Sequence, residues 1–199
     1  MLDCVPFTPG DTAQPNDPAH GPVNAQAFAQ SLAALLPEGA IVVDESVSFG
    51  RDIFPRMHSA APHDWMQLTG GAIGSGMPMA TGAAVAAPGR RVVNLQADGS
   101  ALYTVQSLWT QARESLDVTT VILSNRRYAI LFDEMARVGA TATQTAQDML
   151  SLDRPAIDWV RMANAFGVDA ERADTMDAFN AAFGRSLRSN GPRLIELVL

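Results

Sequence analysis

Lysine is absent from this chain: all 14 basic residues are arginine. A lysine Schiff base is therefore excluded, and with it pyridoxal-phosphate and lysine-aldolase chemistry. The lysine of a P-loop is missing for the same reason. Cysteine occurs once, at Cys4, which rules out an internal disulfide and fits a reducing compartment. Basic residues are outnumbered by 21 acidic ones, and the net charge is −7, so nucleic acid is not an expected partner. No apolar run reaches membrane-spanning length. The first residues, Met1 to Pro6, have neither a basic start nor a long apolar stretch, so no signal peptide is expected. These absences together predict a cytoplasmic protein that does not engage a membrane. A Gly-x-Ser-x-Gly elbow is lacking, which disfavours a serine hydrolase. Gly74-x-Gly76 is followed by Met79 where a dinucleotide fingerprint needs its third glycine. His20, His58 and His63 show no metal-ligand spacing; His58 and His63 are expected in solvent. Internal repeats and low-complexity tracts are absent as well.

What is present is a well-supplied core. Hydrophobic residues make up 47% of 199, enough for one large domain or two small ones. Residues 1–22 hold five prolines among Gly, Asp and Asn, which is linker composition. From residue 23 onward, strand and helix patterns alternate. Asn24 can cap a helix reaching Leu36. Strands are expected at 40–44, 65–69, 91–96, 118–124, 168–172 and 193–199. Helices are expected at 77–87, 104–115, 155–166 and 176–188. The third of these starts at Pro155 and turns Ile157, Val160, Ala163 and Phe166 inward. Residues 128–153 have weaker periodicity and read as a loop with partial helix. Met66, Met77 and Met79 are expected to fill gaps in the core. Such alternation implies an α/β fold: a doubly wound, mostly parallel sheet with helices on both faces.

Two polar residues end two of the apolar strands. Asp98 follows strand 91–96, and Asn125 closes strand 118–124, 27 positions later. A strand–helix–strand unit places both at the carboxyl edge of a parallel sheet, where open α/β sheets bind ligands. Hard oxygens from Asp98, Asn125 and a nearby backbone carbonyl suit Mg²⁺, which keeps phosphates or waters in its other positions. The pattern predicts a clamp for a metal-diphosphate. Asp-Gly by itself is also a common turn, and an asparagine can simply end a strand.

At these residues the chain resembles the thiamine diphosphate (ThDP) enzymes, which carry Gly-Asp-Gly followed at a distance by Asn. Here the motif stands as Ala97-Asp98-Gly99 and Ser124-Asn125. The resemblance is nearest to the cofactor-diphosphate (PP) domain of benzoylformate decarboxylases and acetolactate synthase large subunits, and covers residues 23–199. It extends to Asp44-Glu45-Ser46-Val47-Ser48, to the glycine-rich stretch from Gly70 to Pro78, and to the block from Tyr103 to Trp109. Ala97 and Ser124 depart from the family pattern, but neither removes a metal ligand. The resemblance implies that Asp98 and Asn125 bind Mg²⁺ by side chain and Arg127 by its carbonyl. Ser48 would contact the diphosphate, and Gly99 and Ser100 would open a helix whose N–H groups favour phosphate. The Gly71 carbonyl would accept a hydrogen bond from the aminopyrimidine. Ile73 would be the catalytic wedge that bends the cofactor, so that its amino group lies beside C2 of the thiazolium. Leu131 is a substrate-pocket candidate. Glu134 stands where benzoylformate decarboxylases carry an aromatic residue, which argues against an aryl substrate.

Complete enzymes of this family also have a pyrimidine-binding (PYR) domain and a central domain, and assemble as dimers or tetramers. The PYR domain supplies the glutamate that protonates the aminopyrimidine. Nothing in this sequence matches that motif. Two readings follow. The chain is the cofactor-binding half of a ThDP-dependent lyase or synthase acting on a 2-oxo acid, with a PYR-domain chain or the missing N-terminal domains as partner. Alternatively, it is a non-catalytic ThDP-binding or interaction module.

Overall fold

A computed structural model describes residues 17–199. Residues 1–16 of the expected linker lie outside that range. Residues 17–22 run against the domain: Ala19 N–H donates to Ser31 Oγ, and Gly21 O accepts from Met176 N–H at 2.9 Å.

The elements, in chain order, begin with α1 (Ala25–Leu35), β1 (Ile41–Glu45) and the single-turn α2 (Val47–Gly50). A 3-10 segment, Phe54–Ser59, leads to β2 (Asp64–Gln67). The 3-10 turn Thr69–Gly71 precedes α3 (Gly76–Ala86), β3 (Val92–Ala97), the single-turn α4 (Asp98–Ala101) and α5 (Ser107–Arg113). Then come β4 (Val118–Ser124), α6 (Ala129–Arg137), α7 (Gln144–Leu150) and α8 (Trp159–Ala165). The chain ends with β5 (Asp169–Ala173), α9 (Met176–Arg188) and β6 (Arg193–Val198).

Among the described residues the strands form one six-stranded sheet in the order β2-β1-β3-β4-β6-β5, parallel throughout. Every residue of β4 is buried, as a central strand covered on both faces requires. The outer strands β2 and β5 carry exposed residues instead. One face packs on α1 and α9, where Phe28, Leu32, Phe179 and Phe183 meet Val42, Val93, Leu95 and Leu197. The other face packs on α3, α5 and α8 through Met77, Leu108, Ile122, Trp159 and Ala80. The expected doubly wound α/β architecture is therefore present.

Local signals explain most boundaries. Asn24 Oδ1 accepts the Ala27 N–H at 2.9 Å and starts α1. Several expectations need correction. The helix expected from Pro155 begins at Trp159, because the Asp158 carboxylate caps it by accepting the Arg161 N–H at 2.9 Å. That shift makes Trp159 the core residue, 1% exposed, where Val160 was expected inward. The expected helix 104–115 is shorter: 104–106 form turns, and α5 starts at Ser107. Residues 128–153 hold two full helices, α6 and α7. Met66 lies exposed on the edge strand, whereas Met77 is buried. His63 is half-buried beside Trp65, with ring centroids 6.0 Å apart.

The chain leaves β1 towards the α1 side and β3 towards the α3 side. That divergence opens a crevice between their carboxyl ends, the switch point where ligands of such sheets bind.

Candidate functional site

The crevice contains a cavity of about 130 Å³. Its walls come from the ends of three neighbouring strands: Val47 and Ser48 after β1, Ala97 to Ser100 at the end of β3, and Asn125 with Arg127 to Leu131 after β4. Ile73 and Tyr103 complete it. A larger cleft, about 560 Å³, lies at the amino ends of β5 and β6. Its Glu171 and Asp169 are paired with Arg185 and Arg193, and it is at the wrong edge of the sheet for a switch-point ligand.

Asp98 is the chemical centre of the crevice. It is 2% exposed and has no cationic partner among the described residues. Its Oδ1 accepts the Gly99 N–H at 2.8 Å, and Oδ2 accepts the Arg126 N–H at 2.6 Å. Burial pushes its carboxyl up to about 6, against the lowering effect of backbone N–H groups at Arg126, Gly99 and Asn125. Asn125 is half-buried, and its Oδ1 accepts the Arg127 N–H at 3.0 Å. That bond closes a tight turn in which Arg126 takes φ +58°. The Arg127 carbonyl accepts the Ala129 N–H at 3.0 Å.

The oxygens of Asp98, Asn125 and Arg127 thus each accept one or more hydrogen bonds and keep lone-pair capacity to spare. Among the described residues no three His, Cys, Asp or Glu side chains cluster as a metal site. Magnesium does not need such a cluster: one carboxylate, amide and carbonyl oxygens, and a phosphate suit it. Gly99 lets the Tyr128 ring close over this turn, because a Cβ would stand 2.7 Å from it. The donor set fits a magnesium-diphosphate.

The other expected residues divide. Ser48, Ile73, Gly99, Ser100 and Leu131 all line the cavity. Ile73 is 42% exposed and free to meet a ligand. Gly71 lies outside the cavity wall, on an exposed turn with φ +69°, and its carbonyl accepts the Ile73 N–H at 2.9 Å. The Ser100 hydroxyl is already engaged, donating to the Ala97 carbonyl at 3.0 Å and accepting from Gln96 Nε2 at 2.7 Å. The helix that Gly99 and Ser100 were expected to open is the single turn α4, so any phosphate contact there rests on individual N–H groups more than on a long helix dipole. Sequence reasoning took Tyr128 for packing and passed over Val47 and Tyr103 as cavity wall. The clash that Gly99 avoids with Tyr128 had no signal in the sequence, since it depends on where the chain after Asn125 turns back.

Residues 51–197 match the family described as thiamine pyrophosphate enzyme, C-terminal TPP binding domain. The chain belongs to the thiamine diphosphate enzymes. Within that family, IlvX of Mycobacterium tuberculosis, named with the acetolactate synthase large subunits, is 49% identical to this ThDP-binding domain over 182 residues. The alignment covers 90% of this chain and 35% of IlvX. Benzoylformate decarboxylase of Pseudomonas aeruginosa is 32% identical over 177 residues, covering 89% of this chain and 32% of the decarboxylase. Among solved structures, the ThDP-dependent 4-hydroxybenzoylformate decarboxylase of Rhodococcus jostii superposes with a TM-score of 0.75 at 30% identity. That match covers 98% of this chain and 36% of the decarboxylase. The ThDP-binding domain thus spans about a third of the length of the relatives it matches. No helix among the described residues is long and apolar enough to cross a membrane.

Proposed function

We propose that this chain is the Mg²⁺–ThDP-binding half of a 2-oxo acid decarboxylase or acetolactate synthase-like enzyme, completed by a PYR domain. The observation that carries this reading is the Asp98 site. A carboxylate buried without a cation, joined by Asn125 and Arg127 oxygens at the switch point, is suited to a divalent metal holding a diphosphate. Residues 23–199 form the PP domain in this proposal, and the stretch before them serves as linker.

When bound, the cofactor supplies a nucleophilic carbon and an electron sink for cleavage or formation of a bond next to a carbonyl. The chain's own residues bind and orient. Asp98, Asn125 and the Arg127 carbonyl hold the metal. Ser48, Gly99 and Ser100 surround the diphosphate. Ile73 would serve as the wedge against the bound cofactor, and the Gly71 carbonyl would accept a hydrogen bond from the aminopyrimidine. Leu131 borders the substrate. The acid for the aminopyrimidine and most substrate contacts come from the PYR domain.

Calorimetry with Mg²⁺ and ThDP tests the reading directly. Binding is expected to require Mg²⁺, to be weak in the isolated chain, and to strengthen when a matching PYR-domain chain is added. Absence of Mg²⁺-dependent binding in both settings would reject it.

A further inference from the structure

Glu45 is the last residue of β1 and is only 2% exposed. Among the described residues it has no ion-pair partner. Its charge is met by N–H groups alone. Oε1 accepts the Gly74 N–H at 2.5 Å, and Oε2 accepts the Gly76 N–H at 2.6 Å. Gln96 Nε2 donates to the same Oε2 at 3.0 Å. Charge-assisted bonds of this type are the strong ones.

The acceptor position has a local reason. Gly76 is the first residue of the 11-residue α3, and Ser75 before it makes no capping bond. The Glu45 carboxylate therefore caps α3 from the end of β1, at the helix start where the dipole favours negative charge. Glycine permits the close approach: a Cβ at Gly76 would lie 2.6 Å from Glu45 Oε2 and 2.4 Å from Gln96 Oε1. The second proton of the Gln96 amide goes to Ser100 Oγ at 2.7 Å. A continuous chain of bonds thus links the glycine turn, Glu45, Gln96 and Ser100, two residues after Asp98. Ile73 sits beside the first of these bonds. The other distant hold on this turn is Thr104 Oγ1, which donates to the Gly74 carbonyl at 2.8 Å.

We propose that Glu45 is a positioning residue that fixes Ile73, through the backbone of the glycine turn, relative to Asp98. The inference rests on the Mg²⁺–ThDP reading of the site. Glu45 touches neither end of the ligand in this account. It sets the distance between the wall that meets the heterocycles and the pole that meets the diphosphate. A ligand with only a diphosphate needs one of these, whereas ThDP needs both.

The test compares two ligands on the full chain, Mg²⁺ with inorganic diphosphate and Mg²⁺ with ThDP, for the parent, Glu45→Gln and Asp98→Ala. Glutamine keeps the size but faces one N–H with its own NH₂ group. Glu45→Gln is expected to bind diphosphate like the parent and to bind ThDP about 10-fold more weakly, the scale of one charge-assisted bond. Amide exchange at Gly74 and Gly76 should rise about 10-fold without ligand, while β3 and β4 amides stay protected. Equal losses for both ligands with general loss of protection would overturn the proposal in favour of a purely structural role. Unchanged ThDP binding would overturn it as well. Asp98→Ala should lose both ligands; if it binds both like the parent, it is the site reading that fails. Should Glu45→Gln not fold, Gln96→Met carries the test. It cuts the link to Ser100 but keeps both glycine bonds, and must show the same selectivity at smaller size for the proposal to stand.

Discussion

Asp98 is an acid in the wrong solvent. Its carboxyl is raised to about 6 from the ordinary 3.8, so the metal-free fold holds a proton that the unfolded chain has released. Stability of the metal-free chain should therefore fall as pH climbs from about 4 through 6, by roughly 2–3 kcal/mol from this group. Urea unfolding at pH 4 and pH 7 reads the change, and Asp98→Ala should flatten that part of the curve. Metal affinity should move the other way and grow through the same window, because in the proposed site the ionised carboxylate would be the ligand. Asp98→Ala is expected to abolish Mg²⁺-dependent ThDP binding, and Asn125→Ala to weaken it strongly. Gly99→Ala tests the cavity wall. The new methyl group meets the Tyr128 ring at 2.7 Å, and overpacking of this order costs about 1–3 kcal/mol. Tyr128→Ala in the same chain should recover much of that stability. The Asp98 and Asn125 positions were legible in the sequence because a charged or amide side chain ending an apolar strand needs an explanation. The bonds that hold them were not, since Arg126 N–H reaches Asp98 from 28 residues away.

At the scale of elements, long apolar strands were the easiest to read. β3 and β4 are buried over nearly their whole length, and a short run rich in β-branched and apolar residues has few other destinations. Helix starts were harder. Pro155 suggested a first helical turn, but the capping oxygen belongs to Asp158, and capping outweighs the proline preference. The pair α1 and α9 shows what secures an element once formed. Phe179 lies 5.0 Å from Phe28 and 5.4 Å from Phe183, centroid to centroid, fully buried. Phe179→Ala should cost about 3–5 kcal/mol in urea unfolding. The glycine turn is an element of another kind, held by Glu45 and Thr104 rather than by its own core. Ile73→Gly is expected to leave metal-diphosphate binding largely intact. In a reconstituted complex it should slow C2–H exchange of the cofactor, measured by NMR; exchange at the parental rate would remove Ile73 from the mechanism.

The whole molecule presents its site at an open edge. Ile73, Tyr103 and Leu131 are each more than 40% exposed around the crevice, an apolar rim that favours association. The pure chain is expected to be silent toward pyruvate and benzoylformate, and to gain turnover when a matching PYR-domain chain is added. Decarboxylation by the pure chain, lost on Asp98→Ala, would show that it carries its own acid. The parallel layering was legible from alternation alone, whereas the strand order was not, because β6 slips between β4 and β5 through contacts distant in sequence. The α6–α7 pair leaves and rejoins the domain at a single point, where Tyr128 N–H meets the Leu150 carbonyl at 2.9 Å and Leu152 N–H meets that of Arg126 at 2.7 Å. Neither helix has a buried residue. The segment is thus a detour with touching ends, and it can be exchanged like a cartridge. Swapping residues 129–149 for the matching stretch of a relative should leave the melting temperature nearly unchanged, because little core leaves with them. What would travel with the cartridge is Leu131, and with it one wall of the crevice cavity.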